Sequence, residues 1–231
     1  MLVVFSGLLA GLVHVLTGPD HLAAVAPLAV KAHRGALLSG LRWGLGHSAG
    51  VGFVGLLALA FRGTLPLEWL RNWGEQLVGV LLVGLGFWAL RKASQVQIHT
   101  HAHEHGGEAH DHVHFHDHGH RHPVPPTSPS NSEHRHAHAA FGIGTLHGLA
   151  GSSHFLGVLP ALGFVRWTDS LSYLGAFGFG TIIAMSGFAA VLGQLAQWFA
   201  TDHLKLYRSL MYTCSVFALG TGGWWLLIGP V

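Results

Sequence analysis

Residues 14 to 28 read HVLTGPDHLAAVAPL, and residues 147 to 161 read HGLAGSSHFLGVLPA. At an offset of 133 the stretches agree at His14 and His147, Leu16 and Leu149, Gly18 and Gly151, His21 and His154, Val25 and Val158, and Pro27 and Pro160. Both lie inside long apolar runs, so one membrane-type unit occurs twice. The first copy is interrupted at Thr17-Gly18-Pro19-Asp20, where glycine and proline disfavour a continuous helix. A broken helix is expected to open each half, with Gly18 and Pro19 marking the break in the first and Gly151 in the second.

Outward from these stretches, apolar runs cover residues 2 to 32, 36 to 61, 73 to 90, 139 to 165, 170 to 199 and 207 to 229. A run of about 20 such residues crosses a ~30 Å hydrocarbon layer as a helix. None alternates as the wall of a spanning barrel would. Half of the chain is hydrophobic and a tenth is charged, which is membrane composition rather than that of a soluble core. The expected fold is an all-α membrane protein of about six transmembrane helices. Three runs lie on each side of a polar insert, giving a first membrane repeat over 1–92, a disordered His-rich cytoplasmic loop over 93–138 and a second membrane repeat over 139–231. Three passes per half invert the second half relative to the first, and inverted repeats with broken first helices place a substrate near the bilayer midplane.

Charge sets the expected orientation. Lys31, Arg34, Arg91, Lys92, Arg121, Arg135, Lys205 and Arg208 fall on one side of a six-pass arrangement, with Arg42 near it, against Arg62, Arg71 and Arg166 on the other. The positive-inside rule makes the first side cytoplasmic, with both termini outside. The apolar N-terminal stretch lacks a basic leader and a small-residue cleavage site, so it reads as a retained span of a bacterial inner (plasma) membrane protein. No basic stripe suggests nucleic acid, and one cysteine, Cys214, inside an apolar run, reads as a small buried hydrophobe.

The chemistry sits in the spans. His14, Asp20 and His21 form H-x5-D-H around the break. A carboxylate near the bilayer centre costs at least about 2.5 kcal/mol, so such groups pair, bind ions or line a path. If the helix unwinds there, His14 and His21 can converge on one ion. Imidazole suits nickel, cobalt, copper and zinc, and the carboxylate adds a harder ligand and compensating charge. Asp20 would also suit a helix N-cap. His47 lies in WGLGHSAGVGF, a glycine-rich stretch that permits close helix approach; alone it could simply hydrogen-bond to a neighbouring helix. His147 and His154 gain weight from the repeat, but Ser152 and Ser153 stand where Pro19 and Asp20 stand, leaving Asp20 as the single anion. Thr17, Ser48, Ser152 and Thr181 could give oxygen ligands or interhelical hydrogen bonds. Trp69, Trp73, Trp167, Trp224 and Trp225 suit interfacial anchors, and His33 and His203 read as solvated.

The insert adds an accessory metal loop of His99, His101, His103, His105, His110, His112, His114, His116, His118, His120, His122, His134, His136 and His138, mixed with Glu, Asp, Gly and Pro. Such a composition cannot bury a core, binds several late transition metals without selecting one, and should weaken its hold on acidification.

At HVLTGPDHLAAV, WGLGHS and the His-rich loop the chain resembles the nickel/cobalt permeases, particularly the UreH-like members and the HupE/UreJ group. In that superfamily a His-Asp-His signature is required for metal recognition. The resemblance assigns that role to His14, Asp20 and His21, and matches a Leu-Gly-His-Ser motif at Leu45, Gly46, His47 and Ser48. The long permeases have four residues between the first His and the Asp, where this chain has five, as HupE-type proteins do. Their carboxylate-rich second signature is not found here, and Val15 replaces the proline typical of HupE. His-rich loops also occur in nickel/cobalt exporters of the superfamily, so direction stays open.

The expected function is transport of divalent transition-metal cations, Ni2+ or Co2+ first, by a secondary carrier. Its expected partners are the metal, the lipid bilayer, and a cytoplasmic metallochaperone or a second copy of the chain, with no tightly bound cofactor. A membrane metalloenzyme would need an open coordination position and a general base. No H-E-x-x-H or second carboxylate comparable to Asp20 stands in any span, so no enzyme is expected. A metal-sensing or assembly protein using the insert is the other alternative.

Overall fold

The computed structural model describes residues 1–32, 35–61, 67–95, 97–105, 108–116, 131–150, 152–202 and 204–228. Every membrane-type segment is helical: α1 (Leu2–Thr17), α2 (Pro19–Ala32), α3 (Ala36–Ala60), α4 (Leu67–Gln95), α5 (Asn131–Leu149), α6 (Ser152–Gly163), α7 (Trp167–Asp202) and α8 (Leu204–Ile228). Large apolar side chains such as Phe87, Val191 and Val216 face outward, while Asp20, His21, His47 and His147 are buried. That distribution suits a protein whose outer solvent is lipid.

The expected break is present. Gly18 is extended, with φ −84 and ψ 103, and its N–H donates to His14 O at 3.1 Å. Pro19 then opens α2 at the first helical position, where its missing N–H leaves nothing unsatisfied. Gly18 O accepts from His21 N at 3.2 Å and Leu22 N at 3.4 Å. The two helices bend by 72° at this joint.

Among the described residues, four helical stretches are long and apolar enough to cross a membrane: Ala36–Ala60, Gln76–Ser94, Trp167–Phe199 and Lys205–Leu227. The bent pair α1 and α2 makes a fifth if it counts as one span. This is fewer than the six expected. The difference lies at 139 to 165, expected as one span broken at Gly151 and folded as α5 and α6. The apolar part of α5, Ala139–Leu149, is too short to cross alone, and Gly151 lies outside the described residues.

In the insert, Gln97–His105 pairs antiparallel with Glu108–His116 as strands β1 and β2, where the sequence reading expects no regular structure. The alternation in HTHAHEH and HDHVHF has the period of two that suits a strand.

α2 runs through the centre of the bundle. Its Ala23, Ala24 and Ala29 pack with Trp43 of α3, Leu82 of α4 and Met185 of α7. Around it, α1 packs on α7, α5 on α3, α3 on α7, and α4 on α8. Two seams are close enough to need glycine. A Cβ at Gly144 would meet Trp43 O and lie 3.2 Å from His47 N, and one at Gly46 would meet Phe141 O and lie 3.0 Å from Thr145 N. In the other seam, a Cβ at Gly11 would meet Phe177 O and lie 3.0 Å from Thr181 N, and one at Gly180 would meet Leu8 O and lie 3.2 Å from Leu12 N. The seams match residue by residue. Leu8, Gly11 and Leu12 of α1 correspond to Phe141, Gly144 and Thr145 of α5 at an offset of 133, while Trp43, Gly46 and His47 of α3 correspond to Phe177, Gly180 and Thr181 of α7 at 134.

Candidate metal centre

Four helices deliver side chains to one point. His14 ends α1, Asp20 and His21 open α2, His47 is midway along α3, and His147 lies in the last turn of α5. His21, His47 and His147 are 0% exposed and Asp20 2%. In one straight helix His14 and His21 would be about two turns, or roughly 10 Å, apart along the axis. The bend brings their ring centroids to 4.4 Å. Gly18 makes room for this: a Cβ there would lie 2.9 Å from Asp20 Oδ1 and would run into His21 Nδ1. Since its φ is negative, space rather than backbone freedom requires the glycine.

The α3–α5 seam supplies the other two rings. A Cβ at Gly148 would lie 2.9 Å from His47 C, so the helices nearly touch beside the site. His47 and His147 consequently stand 5.5 Å apart, and His21 lies between them at 4.9 and 5.0 Å. Asp20 ties the halves together: Oδ1 is 3.0 Å from His21 Nδ1 and Oδ2 is 3.4 Å from His147 Nε2. Asp20 is thus a residue of the first turn of α2 rather than its N-cap, and its carboxylate serves the histidines. A carboxylate that orients imidazole is a recurrent feature of metal centres.

Among the described residues, two groups have ligand atoms close enough to hold an ion, within 4.8 Å of one another: His14 with His21 and His47, and Asp20 with His21 and His147. The expected set converges except for His154, whose side chain, like those of Ser152 and the insert histidines, lies outside the described residues; His33 and His203 do too. The candidate hydroxyls are engaged with backbone. Thr17 Oγ1 donates to Val13 O at 2.8 Å, Ser48 Oγ to Gly178 O at 3.0 Å and Thr181 Oγ1 to Phe177 O at 2.9 Å. Aromatic walls flank the centre, with Phe177 at 5.3 Å from His14 and Trp43 at 5.9 Å from His147. The only sequence signal for these walls is the similar spacing of WGLGH and FGFGT.

A cavity of about 450 Å3 lies between the C-terminal parts of α2 and α4, the start of α3, and Ala139, Ala140 and Ile143 of α5. On its wall Lys31 Nζ sits 4.8 Å over the Trp88 ring. Cys214 is buried among Ala196, Tyr207 and Met211, as expected of a small hydrophobe.

No protein-family profile matches the chain, and no solved structure matches it. Over 219 residues it is 32% identical to the chloroplast protein FOR GROWTH AND FERTILITY 1 of Arabidopsis thaliana, covering 94% of this chain and 57% of that protein. The corresponding figures for FOR GROWTH AND FERTILITY 2 of the same plant are 30%, 94% and 54%. The chain therefore spans about half the length of these curated relatives. It is 28% identical over 189 residues to the urease accessory protein UreH of Bacillus sp. (strain TB-90), covering 81% of this chain and 74% of that protein. This distant likeness supports kinship at the level of the superfamily.

Proposed function

We propose that the chain is a secondary carrier that moves a divalent transition-metal cation, nickel or cobalt first, across a bacterial inner membrane. The observation that carries this reading is the convergence of four imidazoles and one carboxylate, His14, Asp20, His21, His47 and His147, inside a lipid-facing helical bundle. A buried anion among histidines is costly unless paired or bound to a cation, and nitrogen-rich donor sets favour late transition metals. The likeness to a urease accessory protein agrees with nickel as cargo. The matched α1–α7 and α3–α5 seams favour two inverted halves meeting at the site. The cavity beside Lys31 and Trp88 is the vestibule on the side where the insert joins, and the insert itself is cytoplasmic and accessory.

The test is metal flux into proteoliposomes. Wild-type protein moves Ni2+ or Co2+, whereas Asp20→Ala and His21→Ala insert normally and do not. Wild-type flux in both variants, or no metal flux by the unaltered chain, overturns the reading.

A further inference from the structure

We infer that the centre is two overlapping stations for one travelling ion, joined through His21, rather than a single pocket that uses every ligand at once. The inference rests on the carrier reading above and concerns the route of the ion through the same site.

Its basis is the way the ligand atoms divide. Two nitrogens on opposite sides of one late transition metal stand about 4.2 Å apart, since each bond is close to 2.1 Å. The structure meets that limit, with small adjustment, in two triads and in no larger group among the described residues: His14–His21–His47 and Asp20–His21–His147, each within 4.8 Å. His21 belongs to both. Its ring centroid stands 4.4 Å from that of His14 and 4.9 Å from that of His47 on one side of the division, and 5.0 Å from that of His147 on the other, where its Nδ1 is also 3.0 Å from Asp20 Oδ1.

The stations differ chemically. The His14 station is built of three imidazoles and leaves the double charge of the ion uncompensated; the Asp20 station has two imidazoles and a carboxylate. They also differ in position. All ligands of the first come from α1, α2 and α3, whereas the second needs His147 of α5. α5 lines the vestibule with Ala139, Ala140 and Ile143 and ends beside His147, so the Asp20 station is the one next to the vestibule. Two doubly charged ions sharing one imidazole would repel strongly in a buried setting, so the stations are occupied in turn. An ion held by His21 exchanges its remaining ligands, His14 and His47 for Asp20 and His147 or the reverse, without leaving protein ligands.

The test uses the full chain with the fourteen insert histidines replaced by serine, so that bound metal reports the buried centre. Co2+ is the probe, measured by equilibrium binding and by X-ray absorption of the bound ion. The unaltered centre binds one Co2+ per chain. His14→Gln and His47→Gln remove only the first station: each still binds one Co2+, with a carboxylate oxygen in its shell. Asp20→Asn and His147→Gln remove only the second: each still binds one Co2+, in the Asp20→Asn case with an imidazole-only protein shell. Because the stations are occupied in turn, loss of the tighter one leaves the affinity of the weaker, loss of the weaker one leaves binding little changed, and all four variants stop flux because the stations act in series. His21→Gln removes both stations and binding with them.

Equal loss of binding in all five variants, or a His21→Gln protein that binds as well as His14→Gln, overturns the two-station arrangement. Size-exclusion profiles of the variants exclude misfolding as the cause of lost binding, and the ligand shell of Asp20→Asn decides the question even if His21→Gln does not fold. Failure of the carrier reading looks different: the unaltered chain would carry no flux, whatever the binding pattern.

Discussion

Asp20 is the only acidic side chain in the centre among the described residues, and both of its oxygens face histidines, at 3.0 and 3.4 Å. The neighbouring glycine is as specific a requirement. The negative φ of Gly18 would accept alanine without backbone strain, yet in Gly18→Ala the methyl group would enter the space between Asp20 and His21. The expected outcome is an inserted protein with strongly reduced Co2+ binding and flux, measured on the same preparations; wild-type binding by Gly18→Ala would contradict the crowding described here. The identities of the site residues were legible because ionisable groups in apolar runs stand out against their surroundings. Asp20 reads from the sequence as the harder ligand, although a carboxylate after Gly-Pro also suits a helix cap, and the position of His147 separates the two.

Helices meet at this site through glycine seams, and the seam of α3 with α5 fixes His47 against His147. Gly148→Ala would place a methyl 2.9 Å from His47 C and 3.0 Å from its Cα, both backbone atoms that cannot swing aside. Overpacking of this kind costs about 1–3 kcal/mol, and the wedge should separate the two rings, lowering both melting temperature in detergent and metal flux. Gly142, on the same helix, has nothing within 4 Å of an added Cβ. Gly142→Ala should therefore leave flux unchanged and the melting temperature equal or slightly raised. The break between α1 and α2 was readable from Gly18-Pro19, a local signal. The division of 139 to 165 into α5 and α6 follows the repeat, which sets Gly151 against Gly18, even though Ser152 and Ser153 replace the proline and aspartate of the first break and hydropathy runs on through both.

At the scale of the molecule, α1 stands to α7 as α5 stands to α3, down to the atoms each glycine would strike. Gly11→Ala should accordingly destabilise the protein about as much as Gly144→Ala, within the same ~1–3 kcal/mol range, as read by thermal unfolding; a large inequality would mean that the two seams bear different loads. The match ends at the chemistry, where His47 corresponds to Thr181 and Asp20 to Ser153. The conspicuous insert stands apart from this frame. Deleting residues 99 to 138 should preserve flux at saturating metal and reduce only the metal retained per chain; loss of flux would make the insert the working element.

By itself the sequence determined the membrane-type helices, the broken opening helix and the identity of the ligand candidates, because hydropathy, a Gly-Pro pair and buried ionisable residues are local properties of the chain. Only the tertiary structure decided that residues 14, 20, 21, 47 and 147 share one centre and how they divide into two triads. Those outcomes depend on a 72° bend and on backbone contact between helices distant in sequence. Such distances are set by which glycines face each other, and no single segment contains that information.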